Sequence, residues 1–465
     1  MKQLPSIEVT LITAILCAGL VQNAMAASTM VTHAVSTKHP LTSQELTSVQ
    51  ELWTFEEILG AQKLTSKTNQ VDDKGIIQTW DETNGNKLSH TDAEGRTTKY
   101  TYNATNQRDS MTEAFGTPEA RTTSYEYVNA NIDLVTKTTS PSIYADNFKD
   151  LINTYDANQN IIAVAINGFD ALGVEVSRVT TFDHDQYGKV TSINGPLTDV
   201  DDLGPLIYVD DITILEYYDC NIGAECGQLK KVTNAVGHVS TYDQYDAASR
   251  LTQSTDSNGI VTTYSYHPRG WLLTMTQTPA VGAARITSYD YDNVGQLKKV
   301  TLADGSEQNY EYDAAHDLRA VFDNLNNRVE YTYDPKGNRT HTLIKDPSGT
   351  LVRSTITTYN HRNFIQSINN AGSLTQLIND AVGNLSAQTD PNDNPDTSNT
   401  FDALDRLSNT VDALTNNSTY AYDVADRLSQ VTSPNGSVTQ YEYDDLGNQT
   451  KEISNDRGTL VYTHD

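Results

Sequence analysis

One pattern constrains this chain more than any other: a tyrosine, any residue, a second tyrosine and an aspartate, returning at a fixed interval. It stands at Tyr289-Asp-Tyr291-Asp292, Tyr310-Glu-Tyr312-Asp313, Tyr331-Thr-Tyr333-Asp334, Tyr420-Ala-Tyr422-Asp423 and Tyr441-Glu-Tyr443-Asp444. The steps from Tyr291 to Tyr312, Tyr312 to Tyr333 and Tyr422 to Tyr443 are each 21 residues. Degenerate copies fill the gaps at Tyr245-Asp246, Tyr264-Ser-Tyr266-His267, Tyr359-Asn360, Asn379-Asp380 and Phe401-Asp402, and looser ones reach back to Trp80-Asp81. Two further columns keep the same register. A glycine stands five residues before the first tyrosine, as in Gly305 and Gly436, and a leucine five residues after the aspartate, as in Leu297, Leu318, Leu407 and Leu428. A unit this short cannot bury a core alone, so the array must stack its units to be stable.

Each unit has the punctuation of a β-hairpin. Asn435-Gly436 precedes a strand over 437–443, Asp444-Asp-Leu-Gly447-Asn448 interrupts it, and a second strand over 449–453 runs to another Asn/Asp/Gly cluster. Glycine and asparagine tolerate positive φ, and aspartate closes its own turn through its carboxylate. Tyr441 and Tyr443 lie two apart and share a face, where rings of successive units pack across strands for about 0.2–1 kcal/mol per pair. Tyr291, Tyr312, Tyr333, Tyr422 and Tyr443 are therefore expected to be packing residues, with a sugar-stacking platform as the functional alternative. Asp292, Asp313, Asp334, Asp423 and Asp444 are expected to be turn residues, because an active site needs an acid once or twice whereas a turn needs one in every unit.

Composition agrees with a thin sheet. Apolar residues make up 37% of the 465, and exchanging tyrosine for glycine in that count changes nothing, since each occurs 26 times. That is below the roughly 45–50% of an ordinary globular chain, which argues against one deep core. Lys and Arg number 32 against 60 Asp and Glu, a net charge of −28, so nucleic acid is excluded as a partner: binding to phosphate needs clustered cations.

No chemistry stands out. The chain contains no Gly-x-Gly pair, no Gly-x-x-x-x-Gly-Lys-Ser/Thr, no His-Glu-x-x-His and no Gly-x-Ser-x-Gly. Asp390-Pro-Asn392-Asp-Asn394-Pro395 imitates the start of a calcium loop, but Pro395 replaces its glycine and Phe401 its bidentate glutamate. No catalytic, cofactor or metal residue is expected.

The N-terminus differs. Lys2, the apolar run from Val9 to Val21 and Ala24-Met25-Ala26 form a signal peptide over 1–26, cleaved after Ala26. The run is too short for a membrane anchor, which needs roughly 20 apolar residues. A leader over 27–74 begins with a flexible Ser/Thr-rich stretch. Thr42-Ser-Gln-Glu45 then resembles a capping box opening a short amphipathic helix that stops at Gly60. The repeat domain is placed at 75–465. In an oxidising compartment Cys220 and Cys226 favour a small-loop disulfide, with two free thiols as the alternative.

Tyr289-Asp-Tyr-Asp-Asn-Val-Gly295-Gln-Leu297 at this spacing resembles the rearrangement-hotspot, or RHS/YD-repeat, family, and the resemblance extends over more than four fifths of the chain. It implies an all-β fold: tandem hairpins forming one antiparallel sheet that spirals into a hollow shell around a C-terminal toxin. Carbohydrate binding is also attributed to such repeats. The chain departs from that pattern by stopping at Tyr462-Thr-His-Asp465 inside another repeat. Asp334-Pro-Lys-Gly337 and Asp346-Pro-Ser-Gly349 match the family's self-cleavage segment only superficially and are turns. The expectation is a secreted, non-enzymatic scaffold whose partner is a separately encoded toxin or shell-completing chain. The alternative is an extracellular module for cell-surface glycans.

Overall fold

A computed structural model describes residues 28–34, 37–38, 45–46, 50–69, 71–195, 211–220, 223, 225–389 and 397–464. The signal peptide expected over 1–26 and the acidic turn from Asp390 to Pro395 lie outside the described residues. Apart from the small pair Thr37–Lys38 and Glu45–Leu46, the described strands form one antiparallel sheet of 36, in which consecutive strands are neighbours. The described residues fall into two units. One is drawn from Met1–Asp150, Gly168–Val176 and Thr357–Asp465, the other from Leu151–Asn167 and Ser177–Ile356.

The hairpins follow the tyrosine period. Glu307–Tyr312 pairs with Leu318–Asp323, which pairs with Arg328–Tyr333, which pairs with Arg339–Lys345. Every strand that ends in the signature tyrosine shifts register at that residue, as at Glu311/Tyr312, Thr332/Tyr333 and Ala421/Tyr422. The shift is a bulge built into the turn. The Asp313 amide donates to the Asp317 carbonyl at 2.9 Å and the His316 amide to the Asp313 carbonyl at 3.1 Å. The fourth turn residue is left-handed, with φ 72° at His316 and 85° at Gly337. A three-residue loop of this kind requires one residue in that region.

Opposing residues put Tyr310, Val321, Val329 and Ile344 on one face. Glu311, Ala320, Arg328, Glu330 and Lys345 share the other. On that second face Arg328 pairs with Glu311 and, at 2.8 Å, with Glu330, which Lys345 also holds at 2.8 Å. Ala320 is fully buried beneath this network. No large side chain among the described residues is fully buried, so the wall is one half-wet layer whose stability comes from neighbouring hairpins.

The helix expected to stop at Gly60 is not found. Gln50–Ile58 is a strand paired with Ser28–Ala34 on one side and Ala61–Asn69 on the other. Leu59 and Gly60 both have positive φ, 53° and 77°, so the glycine read as a helix stop is half of a two-residue hairpin turn. Trp53, Thr54 and Phe55 suit a strand, and the partners on both sides override a helical period carried by few residues. The Ser/Thr-rich stretch expected to be flexible contributes Ser28–Ala34 to the sheet, and hairpins begin well before residue 75.

The turn geometry predicts a stabilising substitution. Gly436 sits at φ 81° with open space around it, while Thr415, at the same place in its own turn, holds φ 66° with a β-branched side chain. A non-glycine residue in that region costs about 1–2 kcal/mol, partly offset by the entropy glycine loses on folding. Thr415→Gly should therefore raise the urea midpoint by the equivalent of roughly 0.5–1 kcal/mol. A fall in the midpoint would refute the geometry.

Candidate functional site

The signature tyrosines do more than pack. In many units the hydroxyl of the second tyrosine reaches one hairpin back and donates to the carbonyl of the residue that opens the preceding second strand. The bonds run from Tyr312 to Leu297 at 2.9 Å, Tyr333 to Leu318 at 2.7 Å and Tyr422 to Leu407 at 2.9 Å. Tyr245, Tyr266, Tyr102 and Tyr127 do the same. Trp80 Nε1 donates to the Leu64 carbonyl at 2.8 Å and Asn399 Nδ2 to the Leu385 carbonyl at 2.9 Å, supplying the bond where tyrosine is absent. This explains 26 tyrosines against 8 phenylalanines, since phenylalanine fills the space but cannot donate. Burial pushes the phenols of Tyr312, Tyr333, Tyr422 and Tyr443 up, which keeps them donors. Tyr291 packs against Trp271, with ring centroids 5.4 Å apart, and Tyr443 lies under the Arg427 guanidinium at 4.5 Å.

Each signature aspartate closes its own turn. Asp334 Oδ1 accepts from the Lys336 and Asn338 amides at 2.9 Å, and Asp313 Oδ1 from Ala315 and Asp317 at 2.8 and 3.0 Å. Asp423 and Asp444 serve Arg427 and Asn448 in the same way. Backbone donors, the Gln296 amide foremost, hold the Asp292 carboxyl below the usual range. Where the residue four positions on is asparagine or arginine, its side chain takes the second oxygen, as Asn338 and Asn448 do and as Arg250, Arg406 and Arg427 do. The arginines continue into the next turn: Arg406 Nη1 donates to the Asp423 carbonyl at 3.1 Å and Arg427 Nη1 to the Asp444 carbonyl at 2.6 Å. Arg or Asn thus recurs four residues after the aspartate in many units, a fourth column in the sequence.

Cys220 and Cys226, both exposed, are joined, with sulfurs 2.11 Å apart. Among the described residues no three His, Cys, Asp or Glu side chains are placed to hold a metal, and no helix is long and apolar enough to cross a membrane. A cavity of about 380 Å³ opens beside Tyr102, Tyr125, Tyr127, Gln107, Arg108 and Asp133.

A second set of contacts, marked by no local sequence pattern, lies inside the first unit, where turns of residues 69–145 meet signature turns of residues 360–447. Arg362 clasps Asp72 through Nε and Nη2, both at 2.8 Å, with His361 Nε2 3.0 Å from the same carboxylate. The Ala381 amide donates to Glu94 at 2.8 Å, Arg96 pairs with Asp405, and Arg121 pairs with Asp426 at 2.6 Å. Asp445, only 6% exposed, accepts from the Ser142 hydroxyl at 2.7 Å and from the Ile143 and Phe169 amides at 3.1 Å.

The RHS repeat family model matches residues 227–260, 245–280, 312–351, 401–438 and 422–459. The chain carries RHS repeats. Its fold is also that of solved Tc toxin chains: a Tc holotoxin pore from Photorhabdus luminescens with a TccC3 mutation, and the TcdB2–TccC3–Cdc42 crystal structure. Each aligns over 93% of this chain with TM-score 0.57 and 12% identity, a likeness of fold. The chain spans 27% of either toxin chain. No curated protein sequence matches it.

Two predictions follow from these RHS hairpins. Tyr312→Phe and Tyr333→Phe should each lower unfolding free energy by about 1 kcal/mol, the net worth of one hydrogen bond. Tyr310→Phe, whose hydroxyl meets only the Gln308 side chain, should cost far less. Equal losses at Tyr310 and Tyr312 would remove the reach-back bond from the account. Lys345, ahead of Arg328, holds the Glu330 carboxyl below its ordinary value, and Arg328 does the same to Glu311. A depressed folded value contributes stability that is complete above the unfolded glutamate value, about 4.3, and is lost as pH falls through the folded one. Glu330→Gln should therefore flatten the decline in stability measured by urea unfolding between pH 5 and pH 3, and an unchanged slope would exclude the network as its source.

Proposed function

We propose that the chain is a length of wall for an extracellular RHS-type shell that spirals around, or presents, a cargo carried by another chain, and that it has no chemistry of its own. One observation carries this reading: the signature aspartates bond to their own turns and the signature tyrosines are engaged with the wall itself, by hydroxyl bonds at Tyr312, Tyr333 and Tyr422 and by ring contacts at Tyr291 and Tyr443, so the repeated chemistry builds structure. The likeness of fold to Tc toxin chains supports it. The leader over 1–26 exports the chain, cleavage falls after Ala26, and the partner is a separately encoded chain that carries a toxin or completes the shell. A charge of −28 keeps nucleic acid away.

A second reading is favoured by the cavity beside Tyr102, Tyr125 and Tyr127, where aromatic faces adjoin Arg108 and Asp133. Rings flanked by a cation and a carboxylate suit a pyranose, and the chain would then bind cell-surface glycans.

The deciding experiment is purification of the tagged chain from culture supernatant, followed by mass spectrometry of the intact assembly and a glycan array. The wall reading expects a mature terminus at Ala27, a stoichiometric second chain and no glycan signal. A lone chain whose glycan binding disappears in Tyr125→Leu, with its circular dichroism unchanged, would replace it with the second reading.

A further inference from the structure

We propose that the contacts between the two stretches of the first unit form an addressed seam, in which charges at unrepeated turn positions decide which turn docks on which. The problem they solve follows from the repeat. Signature turns at Asn360, Asp380, Asp402, Asp423 and Asp444 share one backbone geometry, so the hairpins themselves give an opposing row of turns no means of choosing its register. Side chains outside the repeated columns differ from turn to turn. Arg362 takes Asp72, the Ala381 amide takes Glu94, Asp405 takes Arg96, Asp426 takes Arg121, and Asp445 takes Ser142 and Ile143. The order along one row matches the order along the other.

Two of these residues carry a conformational cost that the turn alone does not explain. Asp405 and Asp426 occupy the left-handed position at φ 66° and 64°, where Gly337, Gly383 and Gly447 stand in other units. Aspartate there is strained relative to glycine, and both carboxylates point at an arginine of the opposite row. A slip by one hairpin would bring Glu94 to the turn that carries Asp405 and would move Asp72 from the Arg362 guanidinium to the turn 380–383, which offers the Ala381 amide and no cation, although Arg96 would still meet an aspartate, Asp426. Like charges opposed at Glu94 and Asp405 and the loss of the Arg362–Asp72 pair act against the wrong register, the usual means by which similar surfaces are told apart. The remaining charges facing the seam are consistent with this. Asp92 and Glu113 brace Arg96 and Arg121, Arg406 shares Asp426, and Lys74 shares Glu94. The inference stands whatever the wall encloses.

The test is a charge exchange read by hydrogen exchange. The amides of Ala381, Ile143 and Asp445 bond across the seam, whereas those of Leu428–Thr432 and Val438–Tyr443 bond within the ladder. Asp72→Arg and Arg362→Asp should each speed exchange at the seam amides by about tenfold with ladder amides unchanged. The double variant should restore the native rates. Single variants with native rates, or a double variant as fast as the singles, overturns the proposal. Asp405→Gly guards against misfolding: it relieves strain, so the urea midpoint should not fall, yet the seam amides should still exchange faster. Seam rates equal to wild type in that variant would make Asp405 a turn residue only.

Discussion

The whole fold depends on one hydrogen bond that leaves its own hairpin. Two strands of five to seven residues with a tight turn are marginal in water, because they bury little and must order as much backbone as any other structure. The phenol of Tyr312 or Tyr333 changes that balance by reaching the carbonyl that opens the second strand of the hairpin before it. A ring half-buried on the face also fills space there, so one side chain supplies packing and a directed tie. The bulge at each signature turn belongs to the same device, since a local register shift increases twist and re-aims the side chain beside it.

The acidic character of the chain follows from the other half of the signature. A turn of this geometry leaves amides pointing inward, and a carboxylate satisfies two or three of them with a single oxygen, as Asp292 does for Val294, Gly295 and Gln296. Repeated along the array, that requirement accumulates negative charge at the turns. Arg250, Arg406 and Arg427 return some of it by clasping their own aspartate, and the guanidinium then links one turn to the next. Net charge is thus a by-product of turn chemistry, and it sets which partners the surface excludes.

Positions that recur were legible in the sequence, because periodicity amplifies any residue that a repeated geometry needs. The hairpins, the turn role of the aspartates and the sharing of a face by Tyr441 and Tyr443 came from spacing alone. Two kinds of feature did not. The stretch around Trp53 and Phe55 lies before the clear repeats, so a short helical period and a terminal glycine outweighed a strand whose partners, Ser28–Ala34 and Ala61–Asn69, are visible only in three dimensions. The contacts of Asp72 with Arg362 and of Ser142 with Asp445 join residues about 300 apart, and no local pattern encodes such a distance. Arg250, Arg406, Arg427, Asn338 and Asn448 recur four residues after the aspartate, so the same periodicity that encodes the leucines encodes them.

It follows that the breaks in the columns carry the individuality of a repeat wall. His267 stands where the aspartate belongs and still closes its turn, with Nδ1 accepting from the Arg269 amide at 3.1 Å. Its ring stacks on Trp271, centroids 4.6 Å apart, and Trp271 occupies the place of the usual arginine or asparagine. The indole in turn lies against the next unit so closely that a Cβ on Gly295 would meet it at 2.7 Å. One departure from the pattern therefore stands beside a second, and the pair presses on the glycine that the following repeat keeps at its left-handed turn position. Such linked departures cannot spread by copying a unit, because each is correct only for its neighbours. They are the places where a wall of near-identical hairpins acquires fixed order along its length.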